Sequence, residues 1–490
     1  MQERSEDVVI IGAGSAGLAA WQAARQQTAS VALVEGGPAG TTCARVGCMP
    51  SKLLIAAANA AHQVRRVEPF GIHIEGAVHV DGEAVMARVR RERDRFVNHV
   101  LESMERIPEA CRYQGEARFE DPHTLTVDDR LRLHARRIVI ATGSQPVVPQ
   151  AFEVAGDRLV TSDTLFEWRT LPESVAVFGP GTTGLELAQA LARLGVRVRL
   201  FGRHGSLGVL TDEQLIAQAE CLFNEEFYLD TCGDAEIVER DGGQVAVRFT
   251  DRASKEPTTE HFDHALIATG RRPNIDRLEL QRAGLKLDER GMPEVDRYTM
   301  RCCNVDGQFG HIHMAGDVAN DAPILHEATD EGAIAGRNAG RGNGVYAGHR
   351  RSPLAIVFCE PQMARVGPGH AELAEQFGER LAVSEFSFER QGRARIMNAN
   401  RGYLRLYGEY GSGRFLGAEL CAPEGEHLAH LLAWAHQQRM VVPEMAGLPF
   451  YHPTLEEGLR TALRDLSARL LLDPAMVEQC MECGPGVVVK

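Results

Sequence analysis

The sequence lacks several features that would place the protein in particular classes. No apolar run among its 490 residues reaches the roughly 18–20 residues that a membrane-spanning helix needs. Acidic residues outnumber basic ones, 67 to 53, so the net charge of −14 argues against nucleic acid or an anionic membrane as a partner. The polar start of the chain lacks the apolar core of a secretory signal, and the expected compartment is the cytoplasm.

The cysteines also lack a pattern. There are eleven, an odd number at irregular spacing, which does not fit the disulfide framework of a secreted protein. Hydrophobic content of 44% and charged content of 24% are ordinary for a globular enzyme, and the length predicts about three domains. Glycine is plentiful, with 49 residues, which predicts tight turns and close approaches of backbone to ligand.

A dinucleotide-binding fingerprint opens the chain. Residues 7–12 read as a buried strand, and a turn with Gly12, Gly14 and Gly17 in the spacing GxGxxG opens an alanine-rich helix. A second strand ends at Glu35, about 20 residues further on, as this motif requires. The glycines are expected to admit a pyrophosphate and Glu35 to bind a ribose, a solvated acid being the alternative for Glu35.

The fingerprint occurs a second time, with its glycines at Gly179, Gly181 and Gly184. Two copies predict two nucleotide-binding domains and two dinucleotides. The second copy has no acid after its second strand and instead has Arg203, which suits a ribose 2′-phosphate. Gly184 is nevertheless the usual third glycine of an NAD site, so NAD and NADP both stay open, and the sequence leans to NADP.

Further short segments are expected to contact a cofactor. Each copy is followed by a buried strand that ends in Ala-Thr-Gly, with Thr142 and Gly143 in the first and Gly270 in the second. Asp317 ends another strand, where its carboxylate is placed to hold a ribityl or phosphate group.

The expected fold class is α/β, with two Rossmann-like dinucleotide-binding domains followed by an α+β domain. The expected boundaries are residues 1–150 for the first nucleotide domain, 151–270 for the second, 271–349 for a part returning to the first, 350–470 for the α+β domain, and 471–490 for a tail.

Cys43 and Cys48 lie shortly after the first fingerprint. A metal site would need two more soft ligands, and the next ~60 residues offer no cysteine, so no metal is predicted. A redox disulfide needs only the two sulfurs, but residues five apart in a regular helix lie about 8–9 Å apart, too far for a bridge. A paired segment must therefore be distorted, with Gly47 and Pro50 allowing it, and such a bridge would be reducible.

Two features of this region and of the C-terminal part stay open by sequence alone. Lys52, one turn beyond Cys48, either tunes a cofactor or is a surface lysine. Thr454 and Glu457 fit a helix capping box, whereas the alternative has Glu457 orienting His452 for acid–base catalysis.

A Cys-x-x-Cys pair, Cys480 and Cys483, lies close to the C-terminus. It is interpreted either as a relay that passes electrons to a larger substrate or as an incidental flexible tail.

Together, the two fingerprints, the run 43–52, the run 268–274, the Ala-Gly-Asp at 315–317 and the His-Pro-Thr at 452–454 resemble the class I pyridine nucleotide-disulfide oxidoreductases. The likeness runs from about residue 7 to residue 470. Within that family, the Val-Gly-Cys-x-Pro-Ser-Lys ending of the cysteine segment is most similar to dihydrolipoamide dehydrogenase.

The resemblance implies FAD in the first fingerprint, NAD or NADP in the second, and a homodimer joined through the α+β domain. It implies that Cys43 exchanges with substrate, that Cys48 lies against the flavin, and that Lys52 pairs with Glu186 beside it. His452, from the other subunit, would be the acid–base catalyst, with Glu457 holding its imidazole.

The implied activity is dihydrolipoyl dehydrogenase, with a lipoyl group as the dithiol substrate. One alternative is an NADPH-dependent reductase of another disulfide, including a protein disulfide, that uses Cys480 and Cys483. The other is a flavoprotein binding subunit with inert cysteines. Mercuric reductases usually carry Tyr in place of His452, which disfavours mercury as the substrate.

Overall fold

The computed structural model describes residues 1–471 of the protein. Within that range the helices, α1 to α13 in chain order, are Ser15–Arg25, Thr42–Arg45, Cys48–Arg65, Gly82–Glu105, Ser162–Leu165, Thr182–Arg193, Glu213–Asn224, Leu325–Gly340, His370–Phe377, Gly392–Ile396, Gly425–Gln437, Val442–Ala446 and Glu456–Arg469. The strands, β1 to β23, are Gln2–Ile11, Val31–Glu35, Arg112–Gln114, Ala117–Asp121, Thr124–Val127, Leu131–Ile140, Ser144–Pro146, Leu159–Thr161, Ser174–Phe178, Arg197–Phe201, Tyr228–Asp230, Glu236–Asp241, Gln244–Thr250, Pro257–Phe262, His264–Ile267, Arg271–Pro273, Arg301–Cys303, Phe309–Met314, Leu354–Val357, Gln362–Val366, Leu381–Ser387, Tyr403–Glu409 and Phe415–Ala422.

The chain divides into two compact units. The first consists of residues 1–53, 87–147 and 270–350, and the second of residues 54–86, 148–269 and 351 onward.

The first unit is built on a sheet of order β17-β18-β6-β1-β2-β3, in which β18, β6, β1, β2 and β3 run parallel. Ile11 lies opposite Val34 on one side and Ile140 on the other. Alternate residues of β1 enter different apolar cores, Val9 and Ile11 in one and Val8 in the other. The sheet is therefore buried on both faces, as the continuous apolar run predicts.

The first strand begins at Gln2, five residues before the start expected from the apolar run at 7–12. Its polar residues 2–6 pair with residues 131–135 of β6 through the backbone. Because ladder hydrogen bonds need no apolar side chain, the hydrophobic pattern marks only the buried half of this strand.

Helices α1 and α8 of the first unit touch through their backbones. A Cβ added to Gly332 would lie 2.1 Å from the Ala16 carbonyl oxygen, and one added to Gly336 would lie 2.1 Å from that of Ala20. No side chain larger than hydrogen fits at these glycines, so they fix the position of α1, which begins at the first glycine turn.

Within residues 1–471, the second unit contains three sheets. One is parallel, of order β11-β10-β9-β15-β8, and it follows the second fingerprint. The strands β12, β13 and β14 form a small antiparallel sheet, and the antiparallel order β19-β20-β23-β22-β21 forms the C-terminal part. Together the two units confirm the expected α/β class with two nucleotide-binding folds and a C-terminal α+β part.

Candidate active site

The first glycine turn is shaped by contacts that exclude side chains at two of its three glycines. Gly12 has φ of +104°, and a Cβ there would lie 2.3 Å from the Ala141 carbonyl oxygen. A Cβ on Gly17 would lie 1.8 Å from the oxygen of Gly12, whereas one on Gly14 would meet open space. Gly14 is the N-cap of α1 and provides no side-chain cap, so the first backbone N–H groups of the helix are left for a ligand. This cradle fits a pyrophosphate.

Glu35 is oriented by the same turn. Its Oε2 accepts a hydrogen bond from the N–H of Ala13 at 2.6 Å, and its Oε1 accepts one from the N–H of Gly37 at 2.7 Å. The carboxylate is therefore held beside the glycine turn at the end of β2. Its contact with a ribose stays a prediction.

Asn274, which sequence reasoning did not single out, fixes the first Ala-Thr-Gly turn. The Thr142 hydroxyl donates to the Asn274 carbonyl at 2.7 Å, and the Asn274 amide donates to the Thr142 carbonyl at 2.9 Å. The N–H of Asn274 donates to the oxygen of Gly143, whose φ is +69°. The signal was present in the sequence, because Asn274 closes the run that starts with the second Ala-Thr-Gly.

Asp317 and the preceding Gly316 are held by residues that the sequence pattern did not point to. Its Oδ2 accepts a hydrogen bond from the Ser144 hydroxyl at 2.8 Å, and Ser144 in turn accepts one from Arg271 Nε at 2.9 Å. The N–H of the preceding Gly316 donates to the buried Glu331 carboxylate at 2.8 Å. Burial raises the pKa of Glu331.

The second glycine turn repeats the geometry of the first. Gly179 has φ of +105°, and its Cβ would lie 2.4 Å from the Ala268 oxygen. A Cβ on Gly184 would lie 1.9 Å from the oxygen of Gly179, and one on Gly181 would meet open space. Gly181 is the N-cap of α6 and provides no side-chain cap. The residues of this turn therefore fit a second dinucleotide. Gly270, with φ of +117°, follows the strand beside it.

The two copies can be aligned through one shared hydrogen bond. In each, the first glycine donates its N–H to the second strand, at the oxygen of Val34 in the first copy and of Phe201 in the second. The next residue is Glu35 in the first copy and Gly202 in the second. Gly202 therefore stands where the ribose-binding acid would stand.

The second copy also lacks the backbone N–H that would hold such an acid. Pro180 replaces Ala13, and proline has no N–H to donate. A Cβ on Gly202 would lie 2.7 Å from Cγ of Pro180 and 2.7 Å from the Thr231 oxygen, so a larger residue does not fit without a shift. The exposed Arg203 follows directly.

The helix is broken between the two cysteines, as their pairing requires. Cys43 lies on α2, Cys48 is the first residue of α3, and Val46 and Gly47 separate the helices. A Cβ on Gly47 would lie 3.1 Å from a backbone oxygen of α2. The predicted distortion is therefore confirmed at Gly47. Pro50 lies within the first turn of α3 and not at the break.

The break brings the thiols of Cys43 and Cys48 together. A hydrogen bond with the Cys48 thiol raises the pKa of Cys43, burial raises it further, and the positive charge of Lys52 lowers it. Cys48 sits at the N-terminus of α3, where the helix dipole favours a thiolate. Two adjacent thiols with unequal environments suit thiol–disulfide exchange.

His452 and Glu457 are in contact. The His452 Nδ1 lies 3.0 Å from each carboxylate oxygen, and this hydrogen bond lowers the pKa of Glu457. The capping-box prediction is half wrong. The N–H of Thr454 does donate to Glu457, but the Thr454 hydroxyl donates to the Tyr451 carbonyl at 2.8 Å. The exposed imidazole, 82% accessible, is thus oriented by Glu457.

Four other predicted residues complete the set, namely Glu186, Lys52, Cys480 and Cys483. Glu186 is buried on α6, and its Oε1 accepts a hydrogen bond from the N–H of Phe358 at 2.9 Å. Lys52 belongs to the first unit and Glu186 to the second, and their pairing stays a prediction. Cys480 and Cys483 lie outside the described residues.

In residues 1–471, no group of three or more His, Cys, Asp or Glu side chains is arranged to hold a metal ion. Over the same range, no helix has the length and apolar character needed to cross a membrane.

Comparison with protein families gives two matches that together span most of the chain. Residues 6–332 match the pyridine nucleotide-disulphide oxidoreductase family, and residues 354–463 match the dimerisation domain of that family.

Individual relatives agree with the family and differ in their activities. The chain is 30% identical to a dihydrolipoyl dehydrogenase of Haloferax volcanii, over 93% of this chain and 95% of the relative. It is 32% identical to a mercuric reductase of Shigella flexneri, over 93% of this chain and 80% of the relative. The HOCl-induced flavoprotein disulfide reductase RclA from Escherichia coli shares the fold, with a TM-score of 0.77 at 24% identity over 94% of this chain and 99% of that one. The chain therefore belongs to the pyridine nucleotide-disulfide oxidoreductases, a family of FAD-dependent enzymes that use NAD or NADP.

Proposed function

We propose that the protein is a dithiol–disulfide oxidoreductase and that its specific activity is that of a dihydrolipoyl dehydrogenase. The observation that carries the proposal is the thiol pair Cys43–Cys48, brought together by a helix break directly after a dinucleotide-binding fold. The similarity to dihydrolipoyl dehydrogenases supports a lipoyl group as substrate. A homodimer in the cytoplasm is part of the proposal, and the matched dimerisation domain supports the dimer.

The residues present fit the two cofactors. Those proposed to hold FAD are Gly12, Gly14, Gly17, Glu35, Lys52, Thr142, Gly143 and Asp317; those proposed to hold the nicotinamide nucleotide are Gly179, Gly181, Gly184, Arg203 and Gly270. When bound, the flavin supplies hydride exchange with the nicotinamide and two-electron exchange with a disulfide.

The protein's own residues carry the thiol steps. The Cys43 thiolate attacks one sulfur of the substrate disulfide, that S–S bond breaks, and the departing sulfur takes a proton from His452 of the partner subunit. The Cys48 thiolate then attacks the Cys43 sulfur, which releases the second substrate thiol and leaves a Cys43–Cys48 disulfide. Two electrons that originate from NAD(P)H restore the dithiol. With a dihydrolipoyl substrate, the same steps run in reverse.

The raised pKa of Cys43 explains why a base is needed beside it. A thiol whose hydrogen bond and burial favour the protonated form must lose its proton to another group before it attacks. His452 is proposed as that group. Its Nδ1 contacts Glu457, which leaves Nε2 for the substrate and the thiol.

A second candidate function is an NADPH-dependent reductase of another disulfide. The contact of Pro180 with Gly202 in the second fingerprint favours it, because neither the acid nor its backbone donor is present. In that case Cys480 and Cys483 would take electrons from the Cys43–Cys48 pair. A binding subunit with inert cysteines is not supported by the adjacent thiols.

The test is a comparison of steady-state rates with lipoamide, glutathione disulfide, thioredoxin and Hg²⁺, each with both nicotinamide nucleotides. The proposal expects the highest kcat/KM with lipoamide. Cys43→Ser and Cys48→Ser should each abolish turnover, while Cys221→Ser, an exposed cysteine on α7, should not change it.

Other outcomes of the same comparison separate the alternatives. A higher kcat/KM with a protein disulfide, lost in the Cys480→Ser/Cys483→Ser variant, would favour the second candidate. Turnover of lipoamide that survives Cys43→Ser would contradict both functions.

A further inference from the structure

Ser144 stands between a guanidinium and a carboxylate. Its hydroxyl donates to Oδ2 of Asp317 at 2.8 Å and accepts from Nε of Arg271 at 2.9 Å. Arg271 also donates from Nη2 to the Ser144 backbone oxygen at 2.8 Å, so it forms two hydrogen bonds with this residue. In the antiparallel pairing of β7 with β16, Ser144 lies opposite Pro273 and Arg271 lies opposite Pro146, so Ser144 and Arg271 are on adjacent strands.

The direction of these hydrogen bonds follows from the chemistry of the groups. Arginine has donors only, so the Ser144 oxygen must accept from it. The single hydroxyl proton of Ser144 is then directed to Asp317. This arrangement uses one carboxylate oxygen of Asp317, Oδ2, and leaves Oδ1 for a ligand.

The backbone beside Asp317 is held independently of its side chain. The N–H of Gly316 donates to Oε2 of Glu331, and Arg350 donates to Oε1 of that carboxylate at 2.8 Å. Gly316 has φ of +81°, and a Cβ there would lie 2.8 Å from Cβ of Ala16. The Glu331–Arg350 ion pair thus fixes the main chain at Gly316, whereas Ser144 fixes the Asp317 carboxylate.

We infer that Ser144, which Arg271 holds through two hydrogen bonds, is a positioning residue that orients the Asp317 carboxylate toward the flavin. This inference rests on the proposed assignment of Asp317 to FAD. A hydrogen bond to a charged group typically contributes enough to change an equilibrium about tenfold or more. Loss of the Ser144 hydroxyl should therefore weaken FAD retention through Asp317 alone.

The experiment is a double-mutant cycle on full-length holoenzyme, read as the rate of FAD release by flavin fluorescence. Ser144→Ala and Asp317→Asn should each release FAD about tenfold faster than the parent. The double variant should release it no faster than Asp317→Asn, since Ser144 acts only through that carboxylate. Arg271→Met provides a second variant that disturbs the same link. The matched control is Ser384→Ala, which also removes a buried serine hydroxyl; that hydroxyl donates to the backbone oxygen of Ala462.

The outcomes separate this inference from the assignment on which it rests. If Asp317→Asn releases FAD at the parental rate, the assignment of Asp317 to the flavin is wrong. If Asp317→Asn accelerates release and the double variant multiplies the two single effects to about a hundredfold, Ser144 has a structural role and the inference is overturned.

Discussion

Pro180 and Gly202 are in contact at the second fingerprint: a Cβ on Gly202 would lie 2.7 Å from Cγ of Pro180. The equivalent residues of the first fingerprint, Ala13 and Glu35, are joined by a hydrogen bond of 2.6 Å. The second site therefore has Pro180 in place of an N–H donor and Gly202 in place of an acid, and these two residues cannot form such a hydrogen bond. This pair of changes is the structural basis for expecting a phosphate, carried by NADP, beside Arg203.

Arg203→Ala should raise the KM for NADPH by about 10- to 100-fold, because an arginine–phosphate contact is a charge-assisted hydrogen bond. The KM for NADH should stay within about twofold, since NADH lacks the 2′-phosphate. The measurement is steady-state kinetics with both nucleotides. Arg240→Ala, which removes an exposed arginine paired with Asp157, is the control. An equal change in both KM values would contradict the role of Arg203.

Gly14→Val and Gly181→Val should separate the two nucleotide sites. The added side chain points into open space at either position, so both variants should fold. Gly14→Val should be purified without FAD, whereas Gly181→Val should retain FAD and lose saturation with NAD(P)H. Absorbance at the flavin maximum and nucleotide titration measure the two effects. Gly14→Val protein with a full complement of FAD would show that the first turn does not hold it.

Cys48→Ala should lower the pKa of Cys43, because the hydrogen bond with Cys48 is the largest cause that raises it. Alkylation of reduced protein by iodoacetamide, followed at the Cys43 peptide by mass spectrometry, should then rise at a lower pH than in the parent. Cys221→Ala should leave that pH profile unchanged. A profile that stays in place or moves to higher pH in Cys48→Ala would refute the proposed thiol contact.

His313 should contribute to acid sensitivity. It is 2% exposed, Nδ1 has no hydrogen-bond partner among residues 1–471, and burial lowers its pKa to about 3. Since the unfolded imidazole titrates near 6.5, the stabilisation is complete above that pH and is lost as pH falls toward 3. Between pH 7 and pH 5, the loss from this one group is about 2 kcal/mol.

His313→Leu should therefore show a smaller fall in Tm between pH 7 and pH 5 than the parent. His99→Leu removes an exposed histidine of α4 and should behave like the parent. If His313→Leu loses as much Tm as the parent over this range, His313 is not a source of the acid sensitivity.

The features that the sequence predicted well are those that depend on local backbone geometry. Gly12 and Gly179 must adopt positive φ next to a strand, and the spacing of glycines after an apolar run reveals that need directly. The broken helix between Cys43 and Cys48 was predictable for a similar reason, since a regular helix holds such residues too far apart.

The features that the sequence did not reveal depend on residues distant along the chain. Ser144 is 173 residues from Asp317 and 127 from Arg271. The pairing of β18 with β6 brings Asp317 near Ser144, and the pairing of β7 with β16 brings Arg271 near it. The half-formed capping box has a different cause: helix α13 begins at Glu456 with Leu455 at its N-cap, one residue later than a capping box on Thr454 requires. Strand β20, which lies between β19 and β23 inside the C-terminal sheet, carries polar residues that interrupt its apolar pattern.

The central claim is that Cys43 and Cys48 exchange electrons with the flavin, and anaerobic titration with dithionite tests it most directly. The parent should take up two equivalents of this two-electron reductant per FAD before the flavin bleaches, one for the disulfide and one for the flavin. Long-wavelength absorbance from a thiolate beside the flavin should appear after the first equivalent. In the Cys43→Ser/Cys48→Ser variant, the flavin should bleach after one equivalent of dithionite. Bleaching of the parent after a single equivalent, with no long-wavelength absorbance, would contradict the account.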